Sequence, residues 1–383
     1  MKVHLWLPDL FAGTGGIQMF SAALLKGIEA NNSVTKVCAF VKNDPKSFST
    51  TKHAKTCVRT YGCKLPALLH TIRFGSALLG HGFLERPDLI ISSLLNFSVI
   101  APILRGASSI PYWTVAHGVE AWGLKKGRRH SAFWASNKIL PVSRFTMDSV
   151  LRNRPMSARG SIREQVRLFP NTFDESKFKI APKPPHLLSR YGIRPDEKVI
   201  LTITRLAREE GYKGYDTVLL ALPSVLKSSP KTKYLIGGKG SDLGRITQMV
   251  AEKGLRDHVI LPGFIPDKEL VEHYNLCDLF VMPSKKEGFG IVFLEALGCG
   301  KPVLAGNKDG SVDALNGGEL GLLVDPDDVA QISERIVGIL NRTDPNKNLF
   351  QPELLRSRAV ELFGFSRFRE RLDLLLAEHS RNF

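Results

Sequence analysis

The sequence predicts an α/β fold built as two parallel-sheet domains that face each other across a cleft. Three observations carry that expectation. Short apolar runs alternate with stretches of helical period along the 383 residues, the pattern of strands and crossover helices. The first run, 3–7, leads into a glycine turn (FAGTGGI, 11–17) and then a helix. A proline-rich stretch, 180–185 (IAPKPP), divides the alternation into two halves.

In the first half, residues 3–7 read as a strand and 18–28 as a helix with Met19, Phe20, Ala23, Leu24 and Ile28 on one face. The glycine turn departs from G-x-G-x-x-G, because Gln18 stands where the third glycine belongs. Gly15 and Gly16 are still expected to let the backbone approach a ligand closely. Strands follow at 37–41, 88–92, 112–116, 139–142 and 168–171, with helices at 64–79 and 97–104. His117 ends the strand 112–116, at the ligand end of such a sheet, and is a candidate substrate contact. Ser143 is placed to cap the next helix. The boundary falls near 172–196, giving domains 1–172 and 173–365, and a last helix within 366–383 is expected to pack back on the first domain.

The second half alternates again: strands at 199–204, 233–237, 258–261, 278–282, 302–305 and 321–324, and helices at 215–227, 242–253, 267–275, 291–298 and 327–341. Its centre is 283–302 (PSKKEGFGIVFLEALGCGKP), a glycine loop between a strand and a helix N-terminus. Free N–H groups and the helix dipole make that position an anion site. Glu287 and Glu295 flank it eight positions apart; carboxylates suit hydroxyls, so they read as sugar ligands, Glu287 for a hexose and Glu295 for a ribose. Arg205 at a strand tip and Lys213 eight residues later are expected to converge on one diphosphate. Gly238, in the GGKG turn, ends the next strand.

Composition narrows the class. Hydrophobic residues at 43% and charged residues at 23% fit a globular chain. No apolar run approaches the ~18 residues that span a bilayer, and residues 1–10 read as a strand rather than a signal peptide. Five cysteines without C-x-x-C spacing point to free thiols in a reducing, cytoplasmic compartment and against a zinc site. The net charge of +16 is uneven: residues 1–180 hold 25 Lys/Arg against 10 Asp/Glu, and the rest is nearly balanced. The first half is therefore expected to face an anionic partner. Two segments are the candidates for contact with the inner face of an anionic membrane: 125–129 (Lys125, Lys126, Arg128, Arg129) beside Phe133 and Trp134, and 144–167 with Arg144, Arg152, Arg154, Arg159, Arg163 and Arg167.

The second half resembles the retaining GT-B glycosyltransferases of family 4 (glycosyltransferase group 1). The resemblance rests on TRLAREEGYKG with Arg205 and Lys213, on the GGKG turn, LPGFIPDKEL (261–270), and CDLFVMPSKKEGFG with its Glu287/Glu295 pair. EALGCGKPVLA (295–305) and GLLVDPDD (321–328) complete it, over about 170 residues. In the first half, residues 13–16, His117-Gly118 and LFPNTFDESKF (168–178) match more weakly. The resemblance implies two Rossmann-like domains, a nucleotide-sugar donor, expected to be UDP-glucose or a related UDP-sugar, and a glycan or lipid-linked acceptor in envelope polysaccharide synthesis, with no metal, no further cofactor and no nucleic acid. It assigns Arg205 and Lys213 to the leaving diphosphate and Glu295 to the ribose. Glu287 and the backbone of Phe289, Gly290, Ile291 and Val292 take the hexose and phosphate, Gly15 and Gly16 the diphosphate, and His117 the sugar near the reacting carbon. Transfer of a hexose with retention is implied by the family alone. The one Asp-x-Asp, Asp325-Pro326-Asp327, reads as a turn capping the helix 327–341. The chain departs from the family at Asp309-Gly310-Ser311-Val312-Asp313 and in the basic pair Lys285-Lys286. A nucleotide-sugar-binding scaffold and a GT-B UDP-sugar epimerase are the alternatives, and an NAD-dependent oxidoreductase fails on the missing third glycine.

Overall fold

The computed structural model describes residues 1–11, 15–45, 47, 50–53, 55–155 and 162–382. The chain divides into two units: residues 1–172 with 365–383, and residues 173–364.

Unit 1 runs β1 (Lys2–Leu7), α1 (Gly16–Ala30), β2 (Lys36–Pro45), β3 (Thr50–His53), β4 (Thr56–Gly62), α2 (Ala67–Glu85), β5 (Leu89–Ser92), α3 (Leu95–Ser98), α4 (Ala101–Ser108), β6 (Tyr112–Ala116), α5 (Arg128–Trp134), β7 (Lys138–Pro141), α6 (Arg144–Arg152) and α7 (Ile162–Gln165). Its sheet has the order β3-β4-β2-β1-β5-β6-β7, and all pairs are parallel except β3 with β4. Unit 2 runs α8 (Pro185–Arg190), β8 (Lys198–Ile203), α9 (Tyr215–Ser228), β9 (Thr232–Gly237), α10 (Leu243–Glu252), β10 (Val259–Gly263), α11 (Asp267–Leu276), β11 (Leu279–Met282), α12 (Ile291–Gly298), β12 (Val303–Gly306), α13 (Ser311–Ala314), β13 (Leu322–Val324), α14 (Val329–Leu340) and α15 (Pro352–Phe363). Its parallel sheet has the order β10-β9-β8-β11-β12-β13. Both units are Rossmann-like. Strand order reverses between β1 and β5 in unit 1 and between β8 and β11 in unit 2, and ligands of such sheets bind outside the strand C-termini at that reversal.

The central strands are apolar on both faces because helices cover both. β5, β6, β11 and β12 are buried at every position. The final helix, α16 (Phe365–Asn382), completes unit 1: Phe368, Leu372 and Leu376 are buried, Phe20 and Phe169 meet Phe368, and Asn31 donates to Asp373 at 2.6 Å. Glu378 of this helix accepts from Lys138 at 2.9 Å and from Arg167 at 2.8 and 3.0 Å.

Several expectations are corrected. Residues 168–171 are not a strand. The chain there runs beside β7, with Arg167 and Phe169 donating to the carbonyls of Ile139 and Pro141, but Pro141 and Pro170 have no N–H to extend a ladder. The helix expected at 97–104 is two, α3 and α4, because Pro102 starts a new first turn. Helix α14 begins at Val329, and its cap is Asp328, which accepts from the Gln331 N–H at 2.9 Å; Asp325 accepts instead from Asp327 N at 2.9 Å. The stretch 180–185 is not a free linker, since Ala181 donates to Asn275, Lys183 pairs with Asp278 and α8 starts at Pro185. Helix α15 and strands β3 and β4 have no counterpart in the sequence reading. Ser143 caps α6, accepting from Thr146 N at 3.0 Å.

Behind the unit 1 sheet, on the side of the strand N-termini, His4, Arg59 and His81 converge on Glu85. Burial lowers the His4 pKa to about 4, against the pull of Glu85. Glu85 is itself partly desolvated, but its bond and charge contact with Arg59 take it down to about 2. Both folded-state values lie below the unfolded ones, so both contributions are complete above the unfolded pKa and are lost as pH falls. His4 therefore destabilises unit 1 between pH 6.5 and about 4, by up to about 3 kcal/mol, and Glu85 below pH 4.5. The denaturant midpoint is expected to fall steadily from pH 7 to pH 4; a flat profile would show that His4 is not held neutral.

Candidate functional site

In unit 2, three loops meet outside the C-termini of β8, β11 and β12. The loop after β8 carries Arg205 and the turn 208–213. The loop after β11 is 283–290, and the loop after β12 is 307–310. The first two touch through the backbone: Lys285 N donates to Tyr212 O at 2.9 Å, and a side chain on Gly214 would lie 2.2 Å from the Pro283 carbonyl oxygen. This backing brings Lys213 to Glu287, Nζ to Oε2 at 2.6 Å, with both side chains more than four-fifths buried. Burial opposes the Lys213 charge, yet the Glu287 carboxylate raises its pKa above the ordinary value, so the ammonium is charged at neutral pH.

Asp309 holds the Glu287 loop. It is fully buried, and its carboxylate accepts from Glu287 N and Ser284 Oγ at 2.7 Å and from Ser311 N at 2.9 Å. Burial raises its pKa, and these donors counter the rise. Gly310 N donates back to Glu287 O at 2.8 Å, and a side chain there would lie 2.1 Å from Gly288 O. At the departure from the family pattern, 309–313, Asp309 thus forms a three-donor clamp. No spacing rule pointed to it, because two of its three donors are 22 and 25 residues away.

Gly290 precedes α12 with φ 91°, and its position leaves no room for a side chain beside Phe293. The N–H groups of Ile291 and Val292 open the helix at the strand-order reversal, next to Lys213 and Glu287. Phe289 packs its ring on Phe363 at 5.5 Å, which leaves only its backbone to face a ligand. Gly238 has φ 147°, and any side chain would meet the Thr204 carbonyl at 1.9 Å, so glycine is required there. Glu295 lies in the body of α12, 6% exposed, and accepts the Tyr274 hydroxyl at 2.7 Å. Burial raises its pKa to about 7.

Arg205 and Lys213 do not converge as expected. The Arg205 side chain is 79% exposed and pairs with Glu210, whereas Lys213 turns in to Glu287. The Asp325-Pro326-Asp327 carboxylates are held by Lys308, and Asp327 also by Lys285, so two lysines already neutralise them.

In unit 1, Gly15 (φ 136°) caps α1 and Gly16 begins it, both exposed at the end of β1. The preceding loop is tied down by Asp44, which accepts from Leu10 and Phe11 N–H. Residues 13 and 14 of the 13–16 match lie outside the described residues. His117 sits over the end of β5. Its Nε2–H donates to Ser93 O at 2.9 Å, its ring stands edge-on to Phe20 at 4.9 Å, and Ser93 N donates to Trp6 O of β1. Burial lowers its pKa, partly offset by Glu120, so the ring is neutral and Nδ1 is an acceptor. Glycines and histidine therefore flank the strand-order reversal of unit 1.

The amphipathic reading of 122–138 fails on its aromatics. Lys125, Lys126, Arg128 and Arg129 are exposed, but Phe133 is in the core and Trp134 is half-buried against the same cluster; Trp122 donates to Thr146 and meets Phe145 edge-on. Of 144–167, residues 156–161, Arg159 included, lie outside the described residues, as does the side chain of Arg163; Arg167 pairs with Glu378. No helix among the described residues is long and apolar enough to cross a membrane.

Residues 187–351 match the family model described as glycosyl transferases group 1. The chain is 31% identical over 264 residues to the GDP-mannose-dependent alpha-(1-6)-phosphatidylinositol monomannoside mannosyltransferase of Mycolicibacterium smegmatis, covering 65% of each chain, just under two thirds of that relative. It is 27% identical over 205 residues to the mannosylfructose-phosphate synthase of Agrobacterium fabrum, covering 49% of this chain and 44% of the relative. In fold it is similar to Anabaena HepE in complex with UDP and glucose (TM-score 0.77, 18% identity, 99% of this chain and 100% of the other). It is likewise similar to the sucrose-phosphate synthase of Thermosynechococcus elongatus (TM-score 0.79, 21% identity, the whole of both chains). Both likenesses bear on the GT-B fold alone.

The clamp makes a direct prediction. Asp309→Ala removes the acceptor of Glu287 N and Ser311 N and leaves Ser284 Oγ only Ser311 Oγ at 3.2 Å; at about 1–3 kcal/mol for each unsatisfied donor, it should lower the denaturation midpoint of unit 2 markedly. A midpoint within error of wild type would mean that the clamp does not hold the loop.

Proposed function

From the premise that residues 187–351 belong to the group 1 glycosyl transferases, we propose that the protein transfers a hexose from a nucleoside-diphosphate sugar to a glycan or lipid-linked acceptor, with retention of configuration and without a metal. The observation that carries this reading is the buried Lys213–Glu287 pair beside the N-terminus of α12. The bond from the sugar carbon to the β-phosphate oxygen breaks as the acceptor oxygen bonds to that carbon. The acceptor proton passes to the departing diphosphate. Negative charge grows on the diphosphate, where the Lys213 ammonium and the Ile291 and Val292 N–H groups offset it. Arg205 is exposed and free to swing from Glu210 to the same charge. Glu287 takes sugar hydroxyls, Glu295 the ribose, and Gly238 leaves room for the nucleotide backbone to pass. Gly15, Gly16 and His117 are the unit 1 contacts in this reading.

Two donors follow from different observations. The sequence resemblance favours UDP-glucose, and the name of the 31% identical mycobacterial relative favours GDP-mannose. The test is nucleoside diphosphate release from a panel of UDP- and GDP-sugars in the presence of EDTA. One donor should be turned over, and Lys213→Ala should lower kcat about 10²–10³-fold, the loss of one transition-state donor. No release from any donor would overturn the reading, and release abolished by EDTA would overturn its metal independence.

Glu295 adds a pH dependence. Its carboxyl, raised to about 7, accepts hydroxyl hydrogen bonds more strongly when ionised than when protonated. Donor affinity is expected to fall as pH drops below about 7, and Glu295→Gln should remove that dependence; a wild-type affinity constant from pH 8 to 6 would count against the ribose role.

A further inference from the structure

We propose that Tyr274 is the positioning residue of the nucleotide-ribose contact: its hydroxyl fixes the Glu295 carboxylate by Oε2 and leaves Oε1 for a ribose hydroxyl. The proposal rests on the ribose role given to Glu295 above. Glu295 sits in the body of α12, where Phe293, Leu294, Ala296 and Leu297 are buried with it. A carboxylate so placed has lost most of its hydration, and its terminal torsion has no sharp minimum of its own. Its orientation has to come from a partner. Among the described residues, Tyr274 is the one side chain that donates to it, Oη to Oε2 at 2.7 Å, and Oε1 meets no protein donor.

The tyrosine is itself held. It lies near the end of α11, fully buried, and its ring packs on Phe178 and on Phe280 of β11, with centroids 5.8 and 5.6 Å away. A phenylalanine would serve such packing equally well, and a buried hydroxyl costs free energy unless it is bonded. Burial and the Glu295 charge raise the Tyr274 pKa well above its ordinary value, so the proton stays on the tyrosine oxygen, which donates. On Glu295, burial raises the pKa. The Tyr274 bond is the largest opposing influence, ahead of the Lys177 ammonium, and Asp267 at the start of α11 adds to the rise. The Cys299 thiol is a further titratable neighbour; burial pushes it up to about 12, so it brings no charge. Without the Tyr274 hydroxyl the carboxyl would keep its proton to higher pH and lose its fixed plane.

The test is calorimetric binding of UDP-glucose and GDP-mannose between pH 6 and 8.5, a range in which their diphosphates do not titrate. Wild-type affinity for the donor that binds should fall below about pH 7. In Tyr274→Phe the fall should begin about one pH unit higher. Affinity at pH 7 then drops about fivefold, while affinity at pH 8.5 stays within about twofold of wild type. In a Glu295→Gln background, Tyr274→Phe should have no further pH-dependent effect. The variant keeps the aromatic ring, and an unchanged circular dichroism spectrum shows that it is folded. A packing role alone predicts a folded variant with the wild-type midpoint, or one weakened equally at every pH, and either result would overturn the proposal. Wild-type affinity that does not change with pH would overturn the ribose role of Glu295 and this proposal with it. Binding of neither donor would instead overturn the donor reading on which both rest.

Discussion

The candidate site of unit 2 depends on keeping a lysine and a glutamate charged while both are largely withdrawn from water. Neither charge is stable there alone, because burying an unpaired ion costs several kcal/mol. At 2.6 Å each supplies the counter-charge that the other needs. The pair therefore sets a positional requirement on two loops separated by 74 residues of chain. Gly214 lets one loop lie against Pro283, Asp309 clamps the other from beneath, and α12 starts where both end. A ligand diphosphate entering this place would meet a cation that is already oriented and N–H groups that need no rearrangement, the condition under which electrostatic stabilisation is largest.

Unit 1 uses the same sheet order for a different balance of groups. Its strand-order reversal offers two exposed glycine positions and a neutral histidine in place of an ion pair. Its titratable cluster lies behind the sheet, toward the strand N-termini, where Glu85 gathers Arg59, His81 and His4. That inward pull turns the one carboxylate of α2 away from the outer face of the helix, where Leu68 and Ile72 are exposed. Structure behind the sheet and surface chemistry are thus coupled through one carboxylate.

Much of the fold could be read from the sequence because parallel strands buried on both faces are continuous apolar runs, and β8, β9, β11 and β12 are such runs. Strand β4 was not legible: Thr56, Arg59 and Thr60 interrupt its hydrophobic residues, and its pairing with β2 and β3 shows that it belongs to the sheet. Residues 168–171 failed in the opposite direction, since an apolar run cannot reveal that its neighbour's ladder position is a proline. In the site, Lys213, Glu287, Glu295 and the glycines stood out by spacing within one loop and helix. Asp309 did not, because two of its three donors, Glu287 N and Ser284 Oγ, are brought from elsewhere in the chain.

The sequence by itself determined the alternation of strands and helices, the glycine positions where chain direction must change, the excess of positive charge in the first half, and the residue types available for binding a nucleotide sugar. These are local properties, carried by periodicity, backbone freedom and charge count. The tertiary structure decided which charges meet. It paired Lys213 with Glu287, left Arg205 exposed with Glu210, turned Phe133 into the core, and turned Leu68 and Ile72 out. The reason is that burial and pairing depend on which elements cover a side chain, and no spacing along one segment contains that information.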